Sequence, residues 1–266
     1  MVESILLVGC GNMGGAMLAG WLAAGLDPAR FTIVDPYLAE APAGVTLVRE
    51  LPDHGACEFD AVLLGIKPQG LAELAPRVAP LARGVVLSIL AGVELATLVR
   101  YFPDAAGLVR IMPNLSAAIG KSPIGLFSAG LDGQGQAGVM ALMRPLGTPE
   151  WLAEEALFDL VTALAGSGPA FVYRFIDALA SGAVALGLDS EQAQRLALAT
   201  VEGASLLAST SPYPPGELAR RVASPGGTTQ AGLDVLDEGQ AMAQLAEATL
   251  RAARDRSAEM AREARG

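Results

Sequence analysis

Two glycine turns carry the residues of this 266-residue chain whose types and spacing could do chemistry. The first is Gly9-Cys10-Gly11-Asn12-Met13-Gly14, a Gly-x-Gly-x-x-Gly pattern fed by the apolar run Ile5-Leu6-Leu7-Val8. Behind it Ala16, Met17, Leu18, Trp21 and Leu22 have the spacing of one helical face. Strand, glycine turn and helix in that order are the context in which this pattern binds a dinucleotide. Gly9 serves the tight turn, Gly11 the close approach of backbone to a pyrophosphate, and Gly14 the packing of helix on strand. Free amides at the helix N-terminus, where Asn12 and Met13 lie, face the phosphates. Asp35 ends the next apolar run, Phe31-Thr32-Ile33-Val34, at the distance where a carboxylate holds ribose hydroxyls. The plainer reading is a glycine-rich turn that binds no nucleotide.

The second turn is Ser224-Pro225-Gly226-Gly227-Thr228-Thr229, which feeds a helical pattern over 228–238. Free amides at such a helix start suit a carboxylate, with Ser and Thr hydroxyls beside them. An ordinary helix cap would use the same residue types. What surrounds this turn narrows the chemistry. Lys67 and Lys121 are the only lysines and His54 the only histidine, so nothing after residue 154 offers either group. A hydroxyacid or alcohol dehydrogenase needs such a group to take the hydroxyl proton. A protonated C=N bond does not, because it is already electrophilic, so imine reduction needs orientation and a hydroxyl. There is also no His/Cys cluster for zinc and no His partner for a Ser or Cys nucleophile, so no metal is expected.

The elements that must position these turns fall into two halves. Runs rich in Val, Ile and Leu at 4–8, 31–35, 60–66, 84–89 and 107–112 alternate with segments able to form helices, which predicts βαβ units and a mostly parallel sheet. Weaker strands are expected at 124–127 and 150–152, around a helix near 134–144. From about residue 155 the strand signals stop, and helical patterns cover 155–165, 169–187, 190–209, 215–222, 228–238 and 240–264. The fold expected is a Rossmann-type doubly wound sheet over 1–154 followed by an all-helical domain over 155–266. The stretch 178–188 carries no charge, so the helical domain is expected to bury a face against a second copy of itself.

Composition excludes some classes of partner. Hydrophobic residues make up 52% and charged residues 17%, with a formal charge of −10 spread evenly over the two halves. No basic patch emerges, so nucleic acid is not an expected partner. The uncharged stretch 4–26 is long enough to cross a bilayer, but its glycines and missing basic flank read as a soluble strand, turn and helix, with no membrane partner. Cys10 and Cys57 are expected as free thiols in a reducing cytoplasm, and His54 as a loop residue.

Five blocks carry a resemblance. They are the 9–14 turn, Gly65-Ile66-Lys67-Pro68-Gln69, Val109-Arg110-Ile111-Met112-Pro113-Asn114, Thr162-Ala163-Leu164-Ala165-Gly166-Ser167-Gly168-Pro169-Ala170-Phe171, and Ser224-Pro225-Gly226-Gly227-Thr228-Thr229-Gln230-Ala231-Gly232-Leu233. In this order and spacing the chain resembles the pyrroline-5-carboxylate reductase family over nearly its whole length. The resemblance implies hydride transfer from NAD(P)H to the imine carbon of 1-pyrroline-5-carboxylate, giving L-proline. It also implies that Lys67, Pro68, Ala91 and Gly92 line the cofactor near its nicotinamide end, with Met112 and Pro113 close to the ring. The substrate carboxylate would lie on the turn formed by Ser224, Gly226, Gly227, Thr228 and Thr229, with the Thr229 hydroxyl on the ring nitrogen and Ser224 beside it as the second catalytic candidate. The family's helical domains interlock as dimers, often assembled further into rings, so each site would draw on two chains.

The departures from the family pattern bear on the cofactor. Many members carry Asn-Arg or Ser-rich residues after the second strand, whereas this chain has Asp35-Pro36-Tyr37. A carboxylate there repels a 2′-phosphate and accepts ribose hydroxyls, which favours NADH, although Arg49 nearby could serve NADPH. The family's Glu ahead of the substrate loop falls near Ser211 and Pro212, and Ser116 stands where Pro is commoner. Two other readings stay open: another oxidoreductase on this scaffold, such as a hydroxyacid dehydrogenase or a deazaflavin-linked NADP reductase, and a nucleotide sensor without chemistry.

Overall fold

The computed structural model describes residues 2–52 and 59–263, so His54 and Cys57 lie outside the described residues. Eight strands form one sheet: β1 (Ile5–Val8), β2 (Phe31–Val34), β3 (Thr46–Val48), β4 (Ala61–Leu64), β5 (Val85–Ser88), β6 (Gly107–Met112), β7 (Ser122–Ser128) and β8 (Gly147–Trp151). Their order is β3-β2-β1-β4-β5-β6-β7-β8. The sheet is parallel except where β7 runs against β6. Strands buried on both faces explain the continuous apolar runs.

Successive residues of β1 divide between two cores. Ile5 and Leu7 face one core with α1 (Asn12–Ala23) and α4 (Gly133–Met143), whereas Leu6 and Val8 face the other with α2 (Leu71–Val78) and α3 (Leu95–Tyr101). The period of two along a strand thus produces the double winding. Trp21 locks the first face: its ring stacks on Phe31 at 5.5 Å and its indole N–H donates to the Leu142 carbonyl at 2.8 Å.

The remaining helices are α5 (Phe158–Val161), α6 (Gly168–Ala185), α7 (Ser190–Thr210), α8 (Pro215–Val222), α9 (Thr228–Asp237) and α10 (Ala241–Glu263). Between α5 and α6, residues 162–166 form a π-turn, where one continuous helix was expected over 155–165. Two compact units divide the chain elsewhere than at 154/155. One runs up to Ser167 and is rejoined from Ala253 onward; the other is Gly168–Ala252. The shift has a physical cause, because 155–167 is bound to the sheet. The buried Arg110 of β6 pairs with Glu155 at 2.7 Å and stacks 4.0 Å over Phe158, and the Asn114 amide donates to the Ala165 carbonyl at 2.8 Å.

The unit 168–252 has almost no core of its own. Its buried apolar residues among those described are Ala180, Ala193 and Ala197, where α6 meets α7. Val172, Tyr173, Phe175, Leu179, Leu196, Leu198 and Leu207 are exposed, and Leu186 is 92% exposed. The run Glu155–Ala185 is, by length and composition alone, apolar enough to cross a membrane, yet only 17% of its most apolar window is buried. Apolar surface on that scale marks an interface. Light scattering should find at least two chains per particle at micromolar concentration; a particle with the mass of one chain would show that these faces are not covered by a second copy.

Candidate active site

The glycine turn lies at the switch point of the sheet. β1 and β4 are neighbours, while β2 continues from β1 in the other direction, so the loops after β1 and β4 diverge and leave a crevice at the carboxyl edge. Gly9 has φ +86° and donates its amide to the Val34 carbonyl at 2.9 Å, and the Gly65 amide donates to Val8 at 2.9 Å. A Cβ on Gly65 would be 2.6 Å from the Gly9 oxygen, and one on Gly14 would be 3.0 Å from the same atom. Backbone therefore lies directly on backbone here, and no larger residue fits at Gly65 without movement.

Gly11 caps α1 with no side chain among the described residues bonded to its first amides, and no acid occupies the first turn. A Cβ on Gly11 would meet nothing within 4 Å. Asn12 is exposed and Met13 half-buried at the same helix start. Open, uncapped amides at a helix start fit a pyrophosphate. Cys10 is a free, buried thiol; burial and then the Asp35 charge push its pKa up, which makes it a poor nucleophile.

Asp35 is committed to the chain more than its position in sequence shows. Its Oδ2 accepts the Cys10 amide at 2.9 Å, and its Oδ1 accepts the amides of Tyr37 at 2.8 Å and Leu38 at 3.1 Å. Partial burial opposes ionisation, but these three amides and the Arg49 charge outweigh it and hold the carboxyl below the usual range. Arg49 itself donates to the carbonyls of Asp35, Leu38 and Ala39, so its guanidinium is engaged with the turn. Tyr37 beside it is 94% exposed.

The other residues expected at the cofactor follow the ends of neighbouring strands. Lys67 and Pro68 follow β4, with Lys67 exposed; Ala91 and Gly92 follow β5, with Ala91 exposed and Gly92 at φ +73°. Met112 ends β6 and is buried with Pro113. All of them, from Gly9 to Pro113, therefore line one edge of the sheet. A shallow cavity of about 520 Å³ lies instead at the opposite edge, lined by Asp60, Arg83 and Gln134 among others.

The 224–229 turn belongs to the other compact unit. Gly226 has φ +71°, and the Gly227 amide closes the turn onto the Ser224 carbonyl at 2.9 Å. A Cβ on Gly227 would lie 2.4 Å from the Ser224 hydroxyl oxygen, so glycine is what lets that hydroxyl lie across the start of α9. Gly227 caps α9 without a side-chain bond. Thr228 and Thr229 open the helix and are exposed. Near Ser211 and Pro212 the acid present is Glu217, which is paired with Arg220 at 2.6 Å and Arg221 at 3.1 Å, while Arg221 stacks 3.6 Å over Tyr213. That cluster, and the Arg110–Glu155 pair, escaped sequence reasoning. Among the described residues no three His, Cys, Asp or Glu side chains gather as a metal site.

A dinucleotide-type glycine turn at the switch point of a parallel sheet, followed by helices with uncovered apolar faces, defines a nicotinamide-dependent oxidoreductase with a helical association domain. Comparison with known proteins narrows the class. Residues 155–260 match the family model "Pyrroline-5-carboxylate reductase dimerisation", and residues 4–92 match "NADP oxidoreductase coenzyme F420-dependent". Pyrroline-5-carboxylate reductase 2 of Bacillus subtilis is 36% identical over 89% of this chain and 88% of its own length. The Pseudomonas aeruginosa pyrroline-5-carboxylate reductase is 34% identical over 97% and 96%. The solved pyrroline-5-carboxylate reductase of Coxiella burnetii superposes with a TM-score of 0.89 at 29% identity, covering 97% of this chain and 98% of that one. A Plasmodium falciparum pyrroline carboxylate reductase solved with NADP bound shares the fold, with a TM-score of 0.79 at 22% identity over 98% and 100%. The chain belongs to the pyrroline-5-carboxylate reductase family.

The Asp35 bonds give a pH prediction. A carboxyl whose pKa is lowered by folding contributes stability above its unfolded pKa and loses it as pH falls through the folded value. In denaturation series between about pH 5 and pH 2, Asp35→Asn should therefore lose less stability on acidification than the parent; parallel acid limbs would show that Asp35 has no such role.

Proposed function

We propose that the protein reduces 1-pyrroline-5-carboxylate to L-proline with a nicotinamide cofactor, and that Thr229 and Ser224 are its catalytic hydroxyls. The observation that carries this reading is the open, uncapped start of α9, with exposed Thr228 and Thr229 and the Ser224 hydroxyl across Gly227, in a stretch of chain without Lys or His. The amides of Thr228 and Thr229 would hold the substrate carboxylate as charge on a helix N-terminus. The Thr229 hydroxyl would bond the ring nitrogen and fix which face of the ring is presented, and Ser224 would complete the carboxylate's shell. When bound, the cofactor supplies the hydride to the imine carbon. The nitrogen carries its own proton, so no residue need deliver one in that step.

The same reading divides the work at residue 154/155, with the nucleotide held by 1–154 and the substrate and association surfaces by 155–266. A second copy of the chain is the partner that covers the exposed faces of α6 and α7, and we extend this to rings of dimers and to a cytoplasmic enzyme with no bilayer or nucleic acid partner. The phosphates lie on Gly9, Gly11, Asn12, Met13 and Gly14. The nicotinamide end lies by Lys67, Pro68, Ala91, Gly92, Met112 and Pro113.

For the cofactor we favour NADH. Beyond its three amide bonds the ionised Asp35 keeps acceptor capacity on Oδ2 for a ribose hydroxyl and repels a 2′-phosphate, and the Arg49 guanidinium is occupied with three carbonyls of its own turn.

Two measurements test this. With purified protein and 1-pyrroline-5-carboxylate, NADH should be oxidised faster than NADPH, and Asp35→Ser should shift the ratio of kcat/KM values toward NADPH; an unmoved ratio would take Asp35 off the ribose. Thr229→Val should cut turnover by about tenfold or more with dinucleotide affinity retained; an unchanged rate would remove Thr229 from the site.

A further inference from the structure

The turn that follows β5 is held by parts of the chain far away in sequence. Leu90, Val93 and Leu95 are buried in the core beneath it, and the Val93 amide closes the turn onto the Leu90 carbonyl at 3.3 Å. Gly92 supplies the positive φ, and Ala91 is left exposed at the carboxyl edge. From one side Glu155 reaches in: its Oε1 accepts the Leu95 amide, at the start of α3, at 2.8 Å, and Arg110 Nη1 at 2.7 Å. From the other side the end of α10 closes on the turn. A Cβ on Gly92 would be 3.1 Å from the Cα of Ala261, which is itself buried. The Ser257 hydroxyl donates to Asp159 at 2.7 Å, tying the two holding segments together.

These two segments, 155–167 and 253–263, are the ones that bracket the helical unit in sequence. Neither supplies a group for hydride transfer. Their shared target is the turn assigned above to the nicotinamide end of the cofactor. The geometry points to Glu155 and Ala261 as positioning residues: they fix the Ala91 and Gly92 backbone where the cofactor lies against it. Glu155 does so by a charge-assisted bond to a helix-start amide; Ala261 does so because only a small side chain allows α10 to close on Gly92. The inference rests on the proposed place of the turn beside the cofactor.

The test uses full-length protein and steady-state kinetics with NADH and 1-pyrroline-5-carboxylate. Glu155→Ala and Ala261→Leu should each raise the KM for NADH by about threefold or more, with the KM for the imine within about twofold of the parent. Glu155→Gln keeps an acceptor for the Leu95 amide and should restore most of the NADH affinity. An unchanged KM for NADH in either variant, or a fall in kcat alone, overturns the positioning role. If removing the partner of the buried Arg110 prevents Glu155→Ala from folding, Ala261→Leu decides the matter alone. Ala91→Asp separates the two levels of the inference. A KM for NADH unmoved by that charge takes the turn itself away from the cofactor, whereas a raised KM there beside unmoved values at 155 and 261 overturns only the positioning.

Discussion

The close approach of Gly9 to Gly65 is the constraint on which the nucleotide-binding half depends. The ends of β1 and β4 meet there with backbone on backbone: the Gly9 oxygen lies 2.6 Å from where a Cβ of Gly65 would be and 3.0 Å from that of Gly14. The Gly14 contact brings the first turn of α1 against the end of β1, and at Gly11 a Cβ would meet nothing within 4 Å. Asp35 adds a cross-link from β2, because one carboxylate oxygen bonds the Cys10 amide inside the glycine turn. The glycine turn after β1 and the end of β2 are therefore joined directly, not only through the sheet.

The helical half obeys the opposite rule, for it is under-packed by itself. Among the described residues three alanines are buried between α6 and α7, with Ile176 and Ala183 partly buried against them, and burial of alanines contributes far less than burial of leucines. The leucines and aromatics that would stabilise a self-contained bundle are instead exposed in the single chain. A unit built this way has apolar surface left to bury by association. The match to a dimerisation family model over 155–260 agrees with that inventory.

Much of this was legible in the sequence where a short-range rule governs. The apolar runs located seven strands, including the two at the edge, and the glycine patterns located both turns, because tight turns and close contacts demand glycine locally. The strand Thr46–Val48 escaped because three residues, one exposed and two half-buried, have no period to detect. The boundary at 154/155 marks where strand signals stop, but the packing boundary falls later because Arg110 and Asn114 bind the segment beyond it. Those are contacts between residues about 45 or more apart in sequence, and no local pattern announces them. Asp35 shows the same limit at one residue. Its position at the strand end was readable, whereas its bonds to Cys10, Tyr37 and Leu38, which lower its pKa, and the carbonyl bonds that engage Arg49 were not.

The missing Lys and His acquire a positive meaning from the geometry at α9. A site that had to remove a proton from an alcohol would require a base held near the reacting atom, and bases near neutrality are chiefly His, Lys or a carboxylate of raised pKa. Glu217, the acid on α8, has its oxygens engaged by Arg220 and Arg221. On the helical side, free amides and neutral hydroxyls remain at the start of α9, which orient and bind but do not exchange protons at neutral pH. Such a set suits a substrate that arrives already activated. A protonated imine meets that condition, whereas an alcohol does not, so the inventory favours C=N reduction for a chemical reason independent of family membership.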